Sequence, residues 1–132
     1  MEQVKLNKGL KISMKISKIC NEYFQATEPF KIYKTDLDRT YTILNIILNV
    51  LRFICAILEP FIPSFSAKIY EQLNLERTKE DETLIGYLRG KPSETLLTLL
   101  KPGHHINEPS PVFKQITDEQ IEEWRKIYAG KN

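Results

Sequence analysis

Along the first quarter of the chain, apolar residues recur at helical spacing. No proline intervenes between Val4 and Thr27, and Ile12, Ile16, Ile19, Cys20 and Tyr23 fall three and four positions apart, the interval that lines one face of a helix. The spacing predicts a first helix buried along that face. Leu6, Leu10, Met14 and Phe24 lie on another side of the same wheel, so the helix needs apolar cover on more than one face. Lys8, Lys11, Lys15 and Lys18 form a stripe down a further side, a solvated face by default and a phosphate-facing one if an anionic partner uses it.

Pro29 ends this helix or opens a new turn, because it lacks an amide donor and restricts Glu28 before it. The segment Glu28 to Lys34 is then a connection between helices that carries an aromatic, Phe30. Asp36 or Asp38 caps the next helix, which runs through Tyr41, Leu44, Leu48, Leu51, Cys55 and Leu58 and stops before Pro60. Ile43, Ile46, Ile47, Val50, Phe53, Ile54 and Ile57 make it apolar almost all round, leaving Asn45, Asn49 and Arg52 as a polar stripe. Such a helix sits at the centre of a core. The corner Pro60-Phe-Ile-Pro63 leads to a short helix with Ile69, Tyr70 and Leu73, capped by Ser64 or Ser66.

Beyond it, residues 77 to 83 are charged and turn-like, and residues 84 to 88 and 94 to 100 form short helical turns or strands. Pro102-Gly103 and the prolines at 109 and 111 bracket a stretch that either pairs as a small hairpin or crosses the bundle extended. Thr117-Asp-Glu-Gln120 is a capping box opening a last helix with Ile121, Trp124, Arg125 and Tyr128. The expected fold class is therefore all-α, a helical bundle with a short extended or hairpin segment before the last helix, in one domain spanning residues 1–132.

Composition narrows the function classes. The chain of 132 residues is 42 % hydrophobic and 27 % charged, which fits a folded globular unit and not a disordered one. Its 19 basic against 17 acidic side chains are too balanced for a generic DNA-coating protein. The excess is uneven, with 8 basic and 5 acidic residues in positions 1–40 against 11 and 12 in the remainder, so an anionic partner should prefer the N-terminal third. The longest apolar run, Ile43 to Phe65, is broken by Asn45, Asn49, Arg52 and Glu59, which argues for a core helix and against a membrane span. Cys20 and Cys55 lack CxxC spacing and sit in apolar runs, reading as buried reduced thiols of a reducing compartment.

No catalytic constellation emerges. His104 and His105 are neighbours whose side chains diverge in an extended stretch, unsuited to ligating one metal. The 5 glycines are scattered, with no phosphate-cradling loop. Lys11-Ile-Ser-Met-Lys15 and Lys15-Ile-Ser-Lys18 superficially match a lysine-serine nucleotide loop but lie within a helical period. What remains is nucleic-acid physics. Unpaired bases stack on aromatics flanked by cations, and Phe30 stands behind Pro29 and before Lys31 and Lys34. The competing reading of Phe30 and Ile32 is as plugs of the bundle.

Three stretches carry a family resemblance. The run Ile19-Cys-Asn-Glu-Tyr-Phe-Gln-Ala-Thr-Glu-Pro-Phe-Lys31 resembles the asparagine-x-tyrosine, then proline-tryptophan-lysine, segment of the anticodon-binding domain of methionyl-tRNA synthetases. Leu58-Glu-Pro-Phe-Ile-Pro63 is similar to that domain's proline corner. Gly103-His-His-Ile, followed by Pro109-Ser-Pro-Val-Phe113, resembles its glycine-histidine-x-isoleucine, proline-x-proline-leucine-phenylalanine ending, and Asp118 to Glu122 fits the acidic closing helix of the eukaryotic and archaeal type.

The resemblance implies a helical bundle appended to a class I catalytic domain and recognising the anticodon loop of tRNA(Met). It places base stacking on Phe30, where the family usually has tryptophan, with Pro29 shaping the loop and Lys31 beside it; Lys8, Lys11, Lys15, Lys18 and Lys34 are candidates for the tRNA backbone. It also implies that the domain lacks its first helices, which carry the family's other anticodon readers, and the upstream catalytic domain that acts with ATP and Mg. The chain itself is then no enzyme and holds no cofactor, metal or catalytic residue, while its parent is a cytoplasmic methionine–tRNA ligase. Its expected partners are tRNA(Met) and that catalytic domain, with no membrane and no DNA. The alternatives are the corresponding domain of a leucine, isoleucine, valine or cysteine enzyme, and a helical protein-interaction module.

Overall fold

A computed structural model of the chain describes residues 6–76, 84 and 88–130. Helix α1 runs Leu6–Thr27, but its inward face is only partly the isoleucine stripe. Ile16, Cys20 and Tyr23 are half-buried as expected, whereas Ile12 and Ile19 are 50 % and 54 % exposed. The seam is instead set by small residues. Ser13 is the buried position of the helix, and Gly9 lies against Phe61, whose ring edge is 3.5 Å from where a Cβ would stand. Ser13 donates its hydroxyl to the Gly9 carbonyl at 2.9 Å, so a polar side chain enters the seam with its hydrogen bond made inside its own helix. The second apolar side stays open at Leu6 and Met14, which are exposed.

A left-handed residue, Glu28, with φ 43° and ψ 54°, breaks the path, and Pro29 opens the single turn α2, Pro29–Ile32. Helix α3 follows at Leu37–Leu58, with Asp36 as its N-cap accepting from the Arg39 amide at 3.0 Å; Asp38 sits in the first turn. Helix α4, Pro63–Gln72, starts on Pro63 with Ile62 as the capping position. The expected serine cap is therefore absent. Ser66 lies on the inner face, 1 % exposed, and donates to the Cys55 carbonyl at 2.9 Å, tying α4 to α3. Asn74, at φ 52°, takes the left-handed position that closes a helix.

Helix α3 is the central element, packed by α1, α2, α4 and the 3-10 turn Ser93–Thr98. By length and composition it is apolar enough to cross a bilayer, yet its polar stripe is engaged within the protein. Asn49, fully buried, accepts from the Leu100 amide at 2.7 Å and donates to the Asn45 carbonyl at 2.8 Å. The Arg52 guanidinium donates to the Leu99 carbonyl. The stripe is thus a polar seat for the segment after the 3-10 turn, whose backbone groups need partners once buried.

Around this seat lie Ile43, Ile54, Leu58, Leu84 and Leu100, and beside it a cluster of Cys55, Ile69, Tyr70 and Leu73. Each such large apolar side chain contributes about 1.5–3 kcal/mol of burial. Cys20 and Cys55 are both free thiols. Burial, with the nearby Glu59 carboxylate adding to it, pushes the Cys55 thiol up to about 12, and burial alone raises Cys20.

The stretch 101–117 crosses α4 in extended form. No strand occurs among the described residues, so of the two expectations the hairpin is not the one observed. The crossing is pinned by hydrogen bonds to the end of α4: Asn107 donates its amide to the Gln72 carbonyl at 2.9 Å, Gln72 donates to the Ser110 carbonyl at 2.8 Å, and the His104 ring bonds the Leu73 carbonyl. The capping box forms as expected, with Thr117 accepting from Gln120, and opens α5, Asp118–Tyr128. The expectation of turn-like charge at residues 77–83 lies outside the described residues, as does most of the 84–88 segment.

Candidate nucleic-acid interface

The connection between α1 and α3 presents the expected aromatic. The Thr27 hydroxyl donates to the Tyr23 carbonyl at 2.7 Å, finishing α1, and the left-handed turn at Glu28 redirects the chain. A non-glycine residue there costs roughly 1–2 kcal/mol, which the buried Pro29 and the hydrogen bond donated by the Tyr33 amide to the Pro29 carbonyl at 3.1 Å help to offset. The result holds Phe30 outward at 52 % exposure. Its ring leans on Phe24, centroid to centroid 6.0 Å at an interplanar angle of 46°, within the range of favourable aromatic pairs. The bundle-plug reading therefore fails for Phe30, while Ile32 is half-buried.

The cations differ in how they stand to this ring. Lys31 is exposed and paired with the Glu28 carboxylate at 2.6 Å. Lys34 sits 5.6 Å from the Tyr33 ring centre, a cation–π distance. Lys8, Lys11, Lys15 and Lys18 are all exposed on α1, and Lys18 faces Glu22 at 3.7 Å. At a rise of about 1.5 Å per residue, Lys8 lies roughly 28 Å from the end of α1. The structure thus gathers Pro29, Phe30, Lys31 and Lys34 at one end and leaves the lysine stripe as a separate feature running away from it.

Pattern reading missed the company Phe30 keeps. Tyr33 and Tyr41 are 47 % and 63 % exposed and Leu37 is 53 % exposed, and with Phe30, Phe24 and Leu44 they border an apolar cleft of about 390 Å³. Periodicity assigns Tyr41 and Leu44 to the core; α2 is one turn long and too short to cover the start of α3. The mixture of open aromatic faces and adjacent cations suits an unpaired nucleic-acid strand.

The sequence model of the family described as "Anticodon binding domain of methionyl tRNA ligase" matches residues 1–132. The chain belongs to this family. It is 35 % identical over 132 residues to a cytoplasmic methionine–tRNA ligase of Arabidopsis thaliana, covering 98 % of this chain and 16 % of that protein. It is 33 % identical to a methionine–tRNA ligase of Pyrococcus furiosus, covering 100 % of this chain and 16 % of that protein, and 34 % identical over 122 residues to one of Phocaeicola vulgatus, covering 92 % and 16 %. The chain thus spans about one-sixth of the length of the curated relatives it matches. No solved structure matches it.

The all-α bundle expected from the sequence is the fold observed, with the segment before the last helix crossing in extended form. The described residues contain no group of three His, Cys, Asp or Glu side chains placed to hold a metal ion.

Proposed function

We propose that this chain supplies tRNA recognition to a methionine–tRNA ligase, with Phe30 stacking on an unpaired base of the tRNA(Met) anticodon loop. The observation that carries the reading is the posture of Phe30: half-exposed, braced by Phe24, and held out by the buried Pro29. Pro29 and the Glu28 turn fix the ring before RNA arrives, which lowers the ordering cost of binding. Lys31 and Lys34 provide local positive charge for phosphates, and Lys8, Lys11, Lys15 and Lys18 extend it along α1 toward the stem. Phenylalanine offers a π-face without the indole N–H of tryptophan, so stacking operates with little reading of base edges.

In this reading the chain contributes recognition and the parent protein performs the ATP- and Mg-dependent attachment of methionine, in the cytoplasm, as the names of the plant and Dictyostelium discoideum relatives suggest. Residues 1–132 form one anticodon-binding unit, and a catalytic domain upstream is its covalent partner. The open apolar residues of α1, Leu6, Ile12, Met14 and Ile19, support the presence of a neighbouring element in the parent.

The test is titration of a labelled methionine anticodon stem-loop against wild type and Phe30→Ala at fixed salt. The expected loss is about 1–3 kcal/mol, with a smaller affinity for loops carrying leucine, isoleucine, valine or cysteine anticodons. Equal affinity of wild type and variant rejects the stacking role. Binding that ignores the anticodon rejects the assignment to tRNA(Met).

A further inference from the structure

Behind Phe30 an apolar cleft opens to solvent. Phe30, Tyr33, Leu37, Tyr41 and Leu44 enclose about 390 Å³, at the small end of the roughly 300–1,000 Å³ of ligand pockets. That is room for a planar ring. Its floor offers almost nothing to bond a base edge: the Thr40 hydroxyl is already donated to the Asp36 carbonyl at 2.8 Å. Charge selects the class of occupant. Lys34 stands over Tyr33 and Lys31, paired with Glu28, borders Phe30, so the rim offers one cation directly and a second by exchange of a carboxylate for a phosphate, and the cleft is continuous with the ring that stacks the first base, which together suit a phosphodiester strand better than an apolar peptide.

We propose that this cleft takes a second unpaired base of the same RNA, adjacent to the one stacked on Phe30, with Tyr41 as its stacking face and Tyr33 and Lys34 at the rim. The inference rests on the Phe30 reading, and it adds a second binding residue on a different element, α3. Phe30 on α2 and Tyr41 on α3 both line the cleft, one on each element of the α2–α3 corner. Two neighbouring nucleotides splayed around that corner would each meet a ring. Held by their faces and not by their edges, they add affinity with little base discrimination at the second position.

The experiment uses this chain with methionine anticodon stem-loops, intact or carrying an abasic sugar at each anticodon position in turn, and the variants Tyr41→Leu, Tyr41→Phe and Phe30→Ala. Tyr41→Leu keeps apolar bulk and removes the π-face; it should weaken binding to the intact loop at least about fivefold, the lower end of what one stacked base contributes. Tyr41→Phe should stay within about twofold of wild type. The abasic loop that erases the Tyr41→Leu deficit should differ from the one that erases the Phe30→Ala deficit. Unchanged affinity in Tyr41→Leu with a loss in Phe30→Ala overturns the second base position and leaves the Phe30 reading intact. A Tyr41→Leu loss that no abasic substitution relieves also overturns it. Absence of RNA binding in wild type, or no loss in Phe30→Ala, overturns the Phe30 reading and this inference with it. Tyr41 is 63 % exposed, and unaltered helical circular dichroism of Tyr41→Phe and Tyr41→Leu separates loss of contact from loss of fold.

Discussion

The two ends of α3 solve opposite problems. Toward its C-terminal half, Asn49 and Cys55, and Ser66 of α4 against it, are each below 2 % exposed; Asn49 accepts from the Leu100 amide and Ser66 donates to the Cys55 carbonyl. At its N-terminal end, Leu37, Tyr41 and Leu44 are open, beside an equally open Phe30 and Tyr33. A chain that buries small polar groups completely at one end while exposing large rings at the other is stabilised at the first and available for contact at the second. Variants at the two ends should therefore separate stability from binding.

The largest effect is expected at the sealed end. Asn49→Ala leaves the buried Leu100 amide without its acceptor and opens a void, and these together should cost about 2–4 kcal/mol in chemical denaturation. RNA affinity per folded molecule should stay unchanged. Phe30→Ala is expected to weigh the other way, a binding loss of the size already given and a fall in unfolding free energy of about 1 kcal/mol, the size of the lost ring pair with Phe24. A binding loss in Asn49→Ala, or a stability loss in Phe30→Ala as large as that of Asn49→Ala, breaks the separation.

How much of this contrast was written in the sequence depends on the range of the interaction involved. Asp36, Thr117 and Pro29 were legible because a cap or a proline acts within one turn. The face of α1 was half-legible: Ile12 and Ile19 matched the period, yet the seam went to Gly9 and Ser13, because close approach to Phe61 rewards small side chains and Ser13 settles its hydroxyl locally. The partner of Asn49 lies 51 residues away, so no local pattern could reveal why the stripe is polar. At the candidate site, Pro29, Phe30 and Lys31 were readable as a motif. Tyr33 and Tyr41 were not, since their exposure depends on the shortness of α2 and not on their own spacing.

The turn at Glu28, before α2 on the open side, allows a finer test. Glycine adopts φ near +43° without the Cβ penalty that glutamate carries there. Glu28→Gly should stabilise the chain by about 0.5–1 kcal/mol, after the greater entropy of glycine in the unfolded state is set against the relieved strain. Thermal unfolding checks this, and a lower midpoint would show that the side chain of Glu28 contributes more than its backbone costs.

The smallest effect concerns charge alone. Lys31 is held by the Glu28 carboxylate at 2.6 Å, with both side chains largely solvated, so the pair itself contributes at most about 1 kcal/mol to folding. Glu28→Gln keeps the left-handed backbone and the length of the side chain while removing the negative charge. Stability should barely move. RNA binding should tighten about two- to threefold at low salt, because Lys31 no longer has to exchange a carboxylate for a phosphate and the strand no longer passes an anion. If Lys31 meets the RNA backbone, the slope of log affinity against log salt should steepen by about 0.7, the value for one additional phosphate contact on a single strand. Unchanged affinity and unchanged slope would mean that Lys31 never touches the RNA, and the contact at this end would then belong to the rings and to Lys34.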